Sequence, residues 1–122
     1  MNGAMIYVKD LPRMAAFYEM SLGLKPIKET QMDTWVEFEA GGSRFALHAV
    51  PTGIASQIEV SSPPQPREKS PVKLIFEVDD LAVETRRLTA LGLTILQRPW
   101  GTCDGIDPEG NIFQITASKT GR

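Results

Sequence analysis

The side chains best suited to binding or chemistry lie on one parity of the predicted β-strands. Aromatic faces bind planar or cationic molecules, and nearby carboxylates add negative charge to such a site. A surface that mixes these side chains with aliphatic ones is typical of a small-molecule pocket, although a solvated sheet face is the plainer alternative. We predict a ligand-binding cleft that is lined by Tyr7, Trp35, Glu37, His48, Lys73, Glu77, Gln114 and Trp100.

Some of these residues could also bind a metal ion or take part in catalysis. His48 and Gln114, together with Glu37 or Glu77, carry nitrogen and oxygen donors for an improvised divalent-metal site. The ordinary alternative for His48 is a hydrogen-bonded histidine in or beside the pocket. Lys73 and Glu77 share one face of a strand, so an ion pair is expected, while a lysine base or imine former is the alternative.

Three further features are interpreted mainly as structure. Trp100 follows Arg98-Pro99, which marks a bend, so packing at a turn competes with lining of the pocket. Cys103 is a candidate nucleophile without a histidine in its own segment, and its role is left open. The segment Asp107-Pro108-Glu109-Gly110 predicts a turn, because proline presets φ and glycine accepts a positive φ.

Composition excludes several classes of function. The 122 residues carry 13 Lys and Arg against 15 Asp and Glu, a net charge of −2, with no basic stripe that would bind nucleic acid. Cys103 is the only cysteine, so no intramolecular disulfide or thiolate metal cage can form. Neither a leader pattern nor a membrane-spanning apolar run is present, which leads us to expect a cytoplasmic protein.

The elements that position these residues follow from an internal duplication. MIYVKDLPRMAAFYEMSLGL aligns with LIFEVDDLAVETRRLTALGL when Asp10 is placed over Asp80. One extra residue in the first helix then brings Gly23 over Gly92. Each half predicts a strand, an aspartate cap, a helix that ends at its glycine, and further strands.

The duplication predicts an α+β fold of two tandem modules within a single domain, 1–122. The modules span about 1–50 and about 72–118, and a linker at 51–71 carries five prolines. In the strands, one parity is apolar throughout and must carry the helices. Its members are Ala4, Ile6, Val8, Val36, Phe38, Phe45, Leu47, Ala49, Leu74, Phe76, Val78, Phe113, Ile115 and Ala117.

The chain resembles members of the vicinal oxygen chelate superfamily in the order of its motifs. This superfamily includes glyoxalase I, bleomycin-resistance proteins, fosfomycin-resistance enzymes and extradiol dioxygenases. The resemblance rests on DLPRMAAFYEMSLGLKPI, on a Gly-Gly turn into RFALH, and on RPWG followed by DPEGNIFQIT. It implies two βαβββ modules whose curved sheets enclose a cleft, with helices on the outer face, and often a homodimer. Enzymatic members hold a divalent metal as a Lewis acid through His, Glu or Gln side chains.

The resemblance also implies where metal ligands would stand in this chain. The first-strand positions are Gly3 and Lys73, and the last-strand positions are Ala46 and Gln114. Of the four, only Gln114 offers an oxygen, and a protonated Lys73 would repel a metal cation. We therefore expect no metal cofactor.

These expectations favour a metal-independent small-molecule-binding protein of the glyoxalase and bleomycin-resistance type, a homodimer that sequesters an aromatic or cationic ligand. A metal-dependent lyase, isomerase or dioxygenase with displaced ligands is the alternative. A regulatory or partner-binding subunit with a degenerate cleft is the third. One fold hosts all three functions, so the fold alone does not choose among them.

Overall fold

The alternating apolar residues at the start of the chain form the first strand, and Asp10 then caps the helix that follows it. The computed structural model describes residues 3–57, 59–60 and 62–118. Residues 1–2 of the predicted first module and residues 58 and 61 of the predicted linker lie outside them. The chain divides into two compact units, Met1–Val60 and Ser61–Arg122.

The first unit is a four-stranded mixed sheet with one main helix. Its strand order is β1-β4-β3-β2, in which β1 runs parallel to β4 and the other neighbours are antiparallel. A 3₁₀ turn at Lys28–Thr30 follows β2, and a four-residue helix lies within the predicted linker. The elements are β1 (Gly3–Val8), α1 (Leu11–Ala16), β2 (Lys25–Pro26), β3 (Trp35–Ala40), β4 (Ser43–Ala49) and α2 (Thr52–Ala55).

The second unit repeats this topology. Its strand order is β5-β8-β7-β6, with β5 parallel to β8 and antiparallel pairs elsewhere. Both units are therefore βαβββ modules, which confirms the predicted α+β fold and the duplication. The elements are β5 (Leu74–Val78), α3 (Leu81–Ala90), β6 (Ile95–Gln97), β7 (Cys103–Ile106) and β8 (Ile112–Ala117).

The extra residue in the first helix has a structural explanation. After α1 the chain continues as a π-helical turn over Phe17–Ser21, whereas α3 has no such turn. A π turn holds more residues than an α turn, so the insertion is absorbed without moving the end of the helix. Both helices are followed by the predicted glycine, with φ of 72° at Gly23 and 93° at Gly92.

Replacing the helix cap of the second unit tests this local design. The Asp80 Oδ1 atom accepts a hydrogen bond of 3.1 Å from the Val83 backbone nitrogen. We expect Asp80→Ala to lower the unfolding free energy by about 1 kcal/mol, measured by chemical denaturation, because that nitrogen loses its acceptor. Asp80→Ser keeps an acceptor and serves as the control, and equal losses in the two variants would contradict the capping role.

The apolar parity lies beneath the helices, as predicted. In the first unit α1 packs on β3 and β4, and Tyr18 from the π-helical turn meets Phe45 edge-on at 4.9 Å between ring centroids. In the second unit α3 packs on β6 and β8. Fully buried members of the two cores include Val8, Met14, Tyr18, Phe38, Leu47, Leu88 and Phe113. Ala117, at the end of β8, is an exception and is exposed.

Candidate functional site

An aromatic row crosses the face of the first sheet opposite α1. Tyr7 on β1 lies beside His48 on β4, which lies beside Trp35 on β3. The ring centroids are 5.4 Å apart for Tyr7 and His48 and 5.9 Å apart for Trp35 and His48. Tyr7 is 61% exposed, and the other two rings are half-buried. The backbone register thus brings three predicted site residues together into one open aromatic surface.

Glu37 lies in the next row, beside Ala46 on β4, and is only 7% exposed. Its Oε1 atom accepts a hydrogen bond of 3.1 Å from the Thr30 hydroxyl. Its Oε2 atom lies 3.4 Å from a nitrogen of the Arg44 guanidinium, an exposed side chain. The charge of Glu37 is therefore partly neutralised from within the same unit.

Gly3 shows why the first strand offers no metal ligand at the position implied by the resemblance. A Cβ atom built on Gly3 would lie 2.5 Å from the backbone oxygen of Arg44. Carbon and oxygen atoms that are not bonded do not approach so closely, so the close pairing of β1 and β4 excludes a side chain here. Ala46, the other implied position in this unit, carries no donor atom.

The expected ion pair between Lys73 and Glu77 is wrong. The Lys73 ammonium nitrogen lies 2.8 Å from Oδ1 of Asp104, while Glu77 is exposed on β5. Asp104 is 1% exposed, and a buried carboxylate without a counter-ion costs more free energy than a solvated one. Lys73 therefore stabilises the protein more by pairing with Asp104 than by pairing with the exposed Glu77. The folded sheet thus brings the Lys73 ammonium to Asp104, which is 31 residues away in sequence, and not to Glu77, which is four residues away.

Arg98 extends this pair into a four-charge network. Its Nε atom donates to Oδ2 of Asp104 at 3.0 Å, and its two terminal nitrogens donate to the two carboxylate oxygens of Glu68 at 3.0 and 2.9 Å. Hydrogen bonds to Glu68 first, and to Asp104 second, raise the pKa of Arg98 above its ordinary value. The guanidinium therefore stays charged wherever the protein is folded.

Trp100 is neither buried in the core nor packed tightly at its turn. It is 67% exposed, and its ring lies 5.4 Å from the central carbon of the Arg98 guanidinium, a cation–π contact.

Sequence reasoning missed Asp104, Arg98 and Glu68 as members of a site. Strand parity could have revealed Asp104, because it places this residue beside Gln114 on the same face of the sheet.

Gln114 occupies the central strand of the second sheet, with Ile75 on one side and Asp104 on the other. One of its two strand neighbours, Asp104, therefore belongs to the charge network. Across the described ranges, no three His, Cys, Asp or Glu side chains are grouped so that they could hold a metal ion. In the improvised metal site considered above, Glu37 is already engaged by Thr30 and Arg44.

The remaining candidates are structural. Cys103 is 4% exposed, and its sulfur accepts a hydrogen bond of 3.5 Å from the Gln97 amide, so burial argues against a nucleophile. The predicted turn at 107–110 is confirmed: Oδ1 of Asp107 accepts hydrogen bonds of 2.9 Å from the backbone nitrogens of Glu109 and Asn111.

No helix in the part of the chain that the structure describes is long and apolar enough to cross a membrane.

Comparison with solved structures identifies the same fold in several proteins. A glyoxalase/bleomycin resistance protein/dioxygenase family enzyme from Burkholderia phytofirmans has a TM-score of 0.71 at 22% identity, covering 95% of this chain and 96% of that one. Lactoylglutathione lyase from Agrobacterium tumefaciens has a TM-score of 0.66 at 23% identity, covering 98% and 94%. A fosfomycin resistance protein from Listeria monocytogenes has a TM-score of 0.68 at 15% identity, covering 95% and 88%.

These identities establish a shared fold and not a shared activity. Among proteins with curated functions, none matches the sequence significantly. The sequence model of the Glyoxalase/Bleomycin resistance protein/Dioxygenase superfamily matches residues 1–115. Because that match spans nearly the whole chain, the protein belongs to this superfamily.

Proposed function

We propose that the protein binds a small planar aromatic or cationic molecule without a metal ion. The observation that carries this proposal is the aromatic row of Tyr7, His48 and Trp35 on the face of the first sheet opposite α1. The three neighbouring rings are tilted against one another, by 57° for Tyr7 and His48 and by 62° for Trp35 and His48, so a planar molecule can stack on one ring and meet the edge of the next. An aromatic surface left open to water is characteristic of an interaction site.

Stacking on the rings contributes more to this binding than charge does. Glu37 provides a carboxylate next to the row, but Thr30 and Arg44 already contact both of its oxygens. A positive charge on the ligand therefore competes with Arg44 and adds a smaller increment. We expect neutral planar compounds to bind too, more weakly than their cationic analogues.

Metal independence is supported by the chemistry of the four implied ligand positions. Gly3 has no room for a side chain, and Ala46 has no donor. The Lys73 ammonium is held by Asp104, which leaves Gln114 with one amide oxygen. A divalent cation needs several converging donors, so this set does not fit a family-type metal centre.

Equilibrium titrations with planar cationic dyes and their uncharged analogues, followed by calorimetry, test the proposal. We expect Trp35→Ala to weaken binding about tenfold, because removal of one stacking face costs roughly 1.4 kcal/mol. Trp35→Phe should retain most of the affinity. Met20→Ala removes another exposed apolar side chain, on the π-helical turn, and should leave affinity unchanged.

Two results would overturn this function. Stoichiometric metal in protein purified without chelator, together with a rise in melting temperature on metal addition, would favour the metal-dependent lyase, isomerase or dioxygenase. Absence of binding across a broad set of planar compounds would instead favour a regulatory or partner-binding subunit.

A further inference from the structure

We infer that Lys73 takes the place of a metal ion in the second unit: its ammonium group pairs with Oδ1 of Asp104 and keeps divalent metal ions away from the oxygen donors of Asp104 and Gln114. This inference rests on the metal independence proposed above and gives it a specific cause. It concerns residues within one unit only.

The strand order places these groups on one face. β5 and β7 flank β8 on opposite sides, so they lie about 9.6 Å apart, twice the usual strand spacing. Lys73 immediately precedes β5, and its ammonium reaches Oδ1 of Asp104 on β7 at 2.8 Å. The lysine stem must therefore cross β8 on the face that carries Gln114, which is the direct neighbour of Asp104.

The charges in the network balance only while Lys73 is present. Asp104 is 1% exposed, and each of its oxygens faces a different cation, Lys73 at Oδ1 and Arg98 at Oδ2. Among the described residues, Oδ1 has no hydrogen bond beyond this ion pair. Arg98 divides its charge between Asp104 and Glu68, so it does not replace Lys73.

Removal of the ammonium would therefore leave a buried, unpaired carboxylate oxygen beside an amide. Oxygen donors of this kind bind divalent cations, and an imidazole adds a nitrogen donor. With Lys73 in place, an incoming metal ion meets a like charge at the point where the donors converge. The lysine thus acts as a specificity determinant that excludes metal.

Replacement of Lys73 by a metal-coordinating residue tests the inference. Nickel chloride is added to wild type, to Lys73→His and to Lys69→His, which places a histidine at an exposed lysine of the same unit. Of these three proteins, we expect only Lys73→His to bind one nickel ion per chain and to gain about 5 °C in melting temperature when nickel is added. Lys73→His with Asp104→Asn should lose this gain. His48 is present in every variant, so its contribution cancels.

Equal nickel responses of Lys73→His and Lys69→His would overturn the inference, as would nickel binding by wild type that Asp104→Asn abolishes. Should Lys73→His fold poorly, Lys73→Met provides a second test. It should lower the melting temperature more than Lys69→Met does, and this excess should vanish in an Asp104→Asn background. Dye binding at Trp35 is measured in parallel, so failure of the proposed function is distinguished from failure of this inference.

Discussion

Phe113→Ala should lower the unfolding free energy by about 4 kcal/mol, the largest loss expected for a single substitution in this chain. Phe113 is 1% exposed and meets Phe76 edge-on at 5.8 Å between ring centroids. Its ring also lies over Gly105, where a Cβ atom would come within 2.4 Å of it. The neighbouring backbone cannot easily move into the space that the ring vacates, so a cavity remains.

Chemical denaturation followed by circular dichroism measures this loss. Phe113→Leu is the matched control, because it keeps most of the apolar volume, and it should lose only about 1.3 kcal/mol. A difference between the two variants of less than about 1 kcal/mol would show that the site collapses around the alanine and that Phe113 is not the centre of the core.

Asp104→Ala should have the second-largest effect, a loss of about 3 kcal/mol in unfolding free energy. The substitution leaves Lys73 and Arg98 facing each other without the buried carboxylate that joins them. The loss stays at the lower end for a buried pair because the Lys73 side chain is 32% exposed and Arg98 keeps its bonds to Glu68. Thermal and chemical denaturation both report this change.

Glu68→Ala provides the control for Asp104. Glu68 contacts the same guanidinium, but its side chain is 55% exposed, so we expect a loss below about 1 kcal/mol. Similar losses for the two variants would contradict the claim that burial, and not the mere presence of an ion pair, makes Asp104 important.

Most of the fold could be predicted because it depends on local patterns that each half of the chain repeats. Strand alternation identified the helix-facing side, and Asp10 and Asp80 identified the two helix starts, which the observed caps confirm. The alignment of the halves also required one extra residue before Gly23, which the π-helical turn now accounts for. The cleft and the homodimer stay predictions.

The candidate site was predictable only where its members are direct neighbours in a sheet. Tyr7, Trp35 and His48 share a parity, and the register of three adjacent strands makes them a row. The burial of Glu37 and its pairing with Arg44 depend on side-chain packing in three dimensions, which alternation does not describe. Trp100 lies on a turn, where no periodic pattern applies.

The duplicated architecture, the helix-facing parity and the lack of donors at Gly3 and Ala46 all follow from the order of residues along the chain. The ion-pair partner of Lys73 depends instead on how the strands assemble. Charge attraction selects a partner by distance and burial, and both are set when β7 comes to lie beside β8. The lysine that was expected to pair with Glu77 is thus the counter-ion of a buried aspartate.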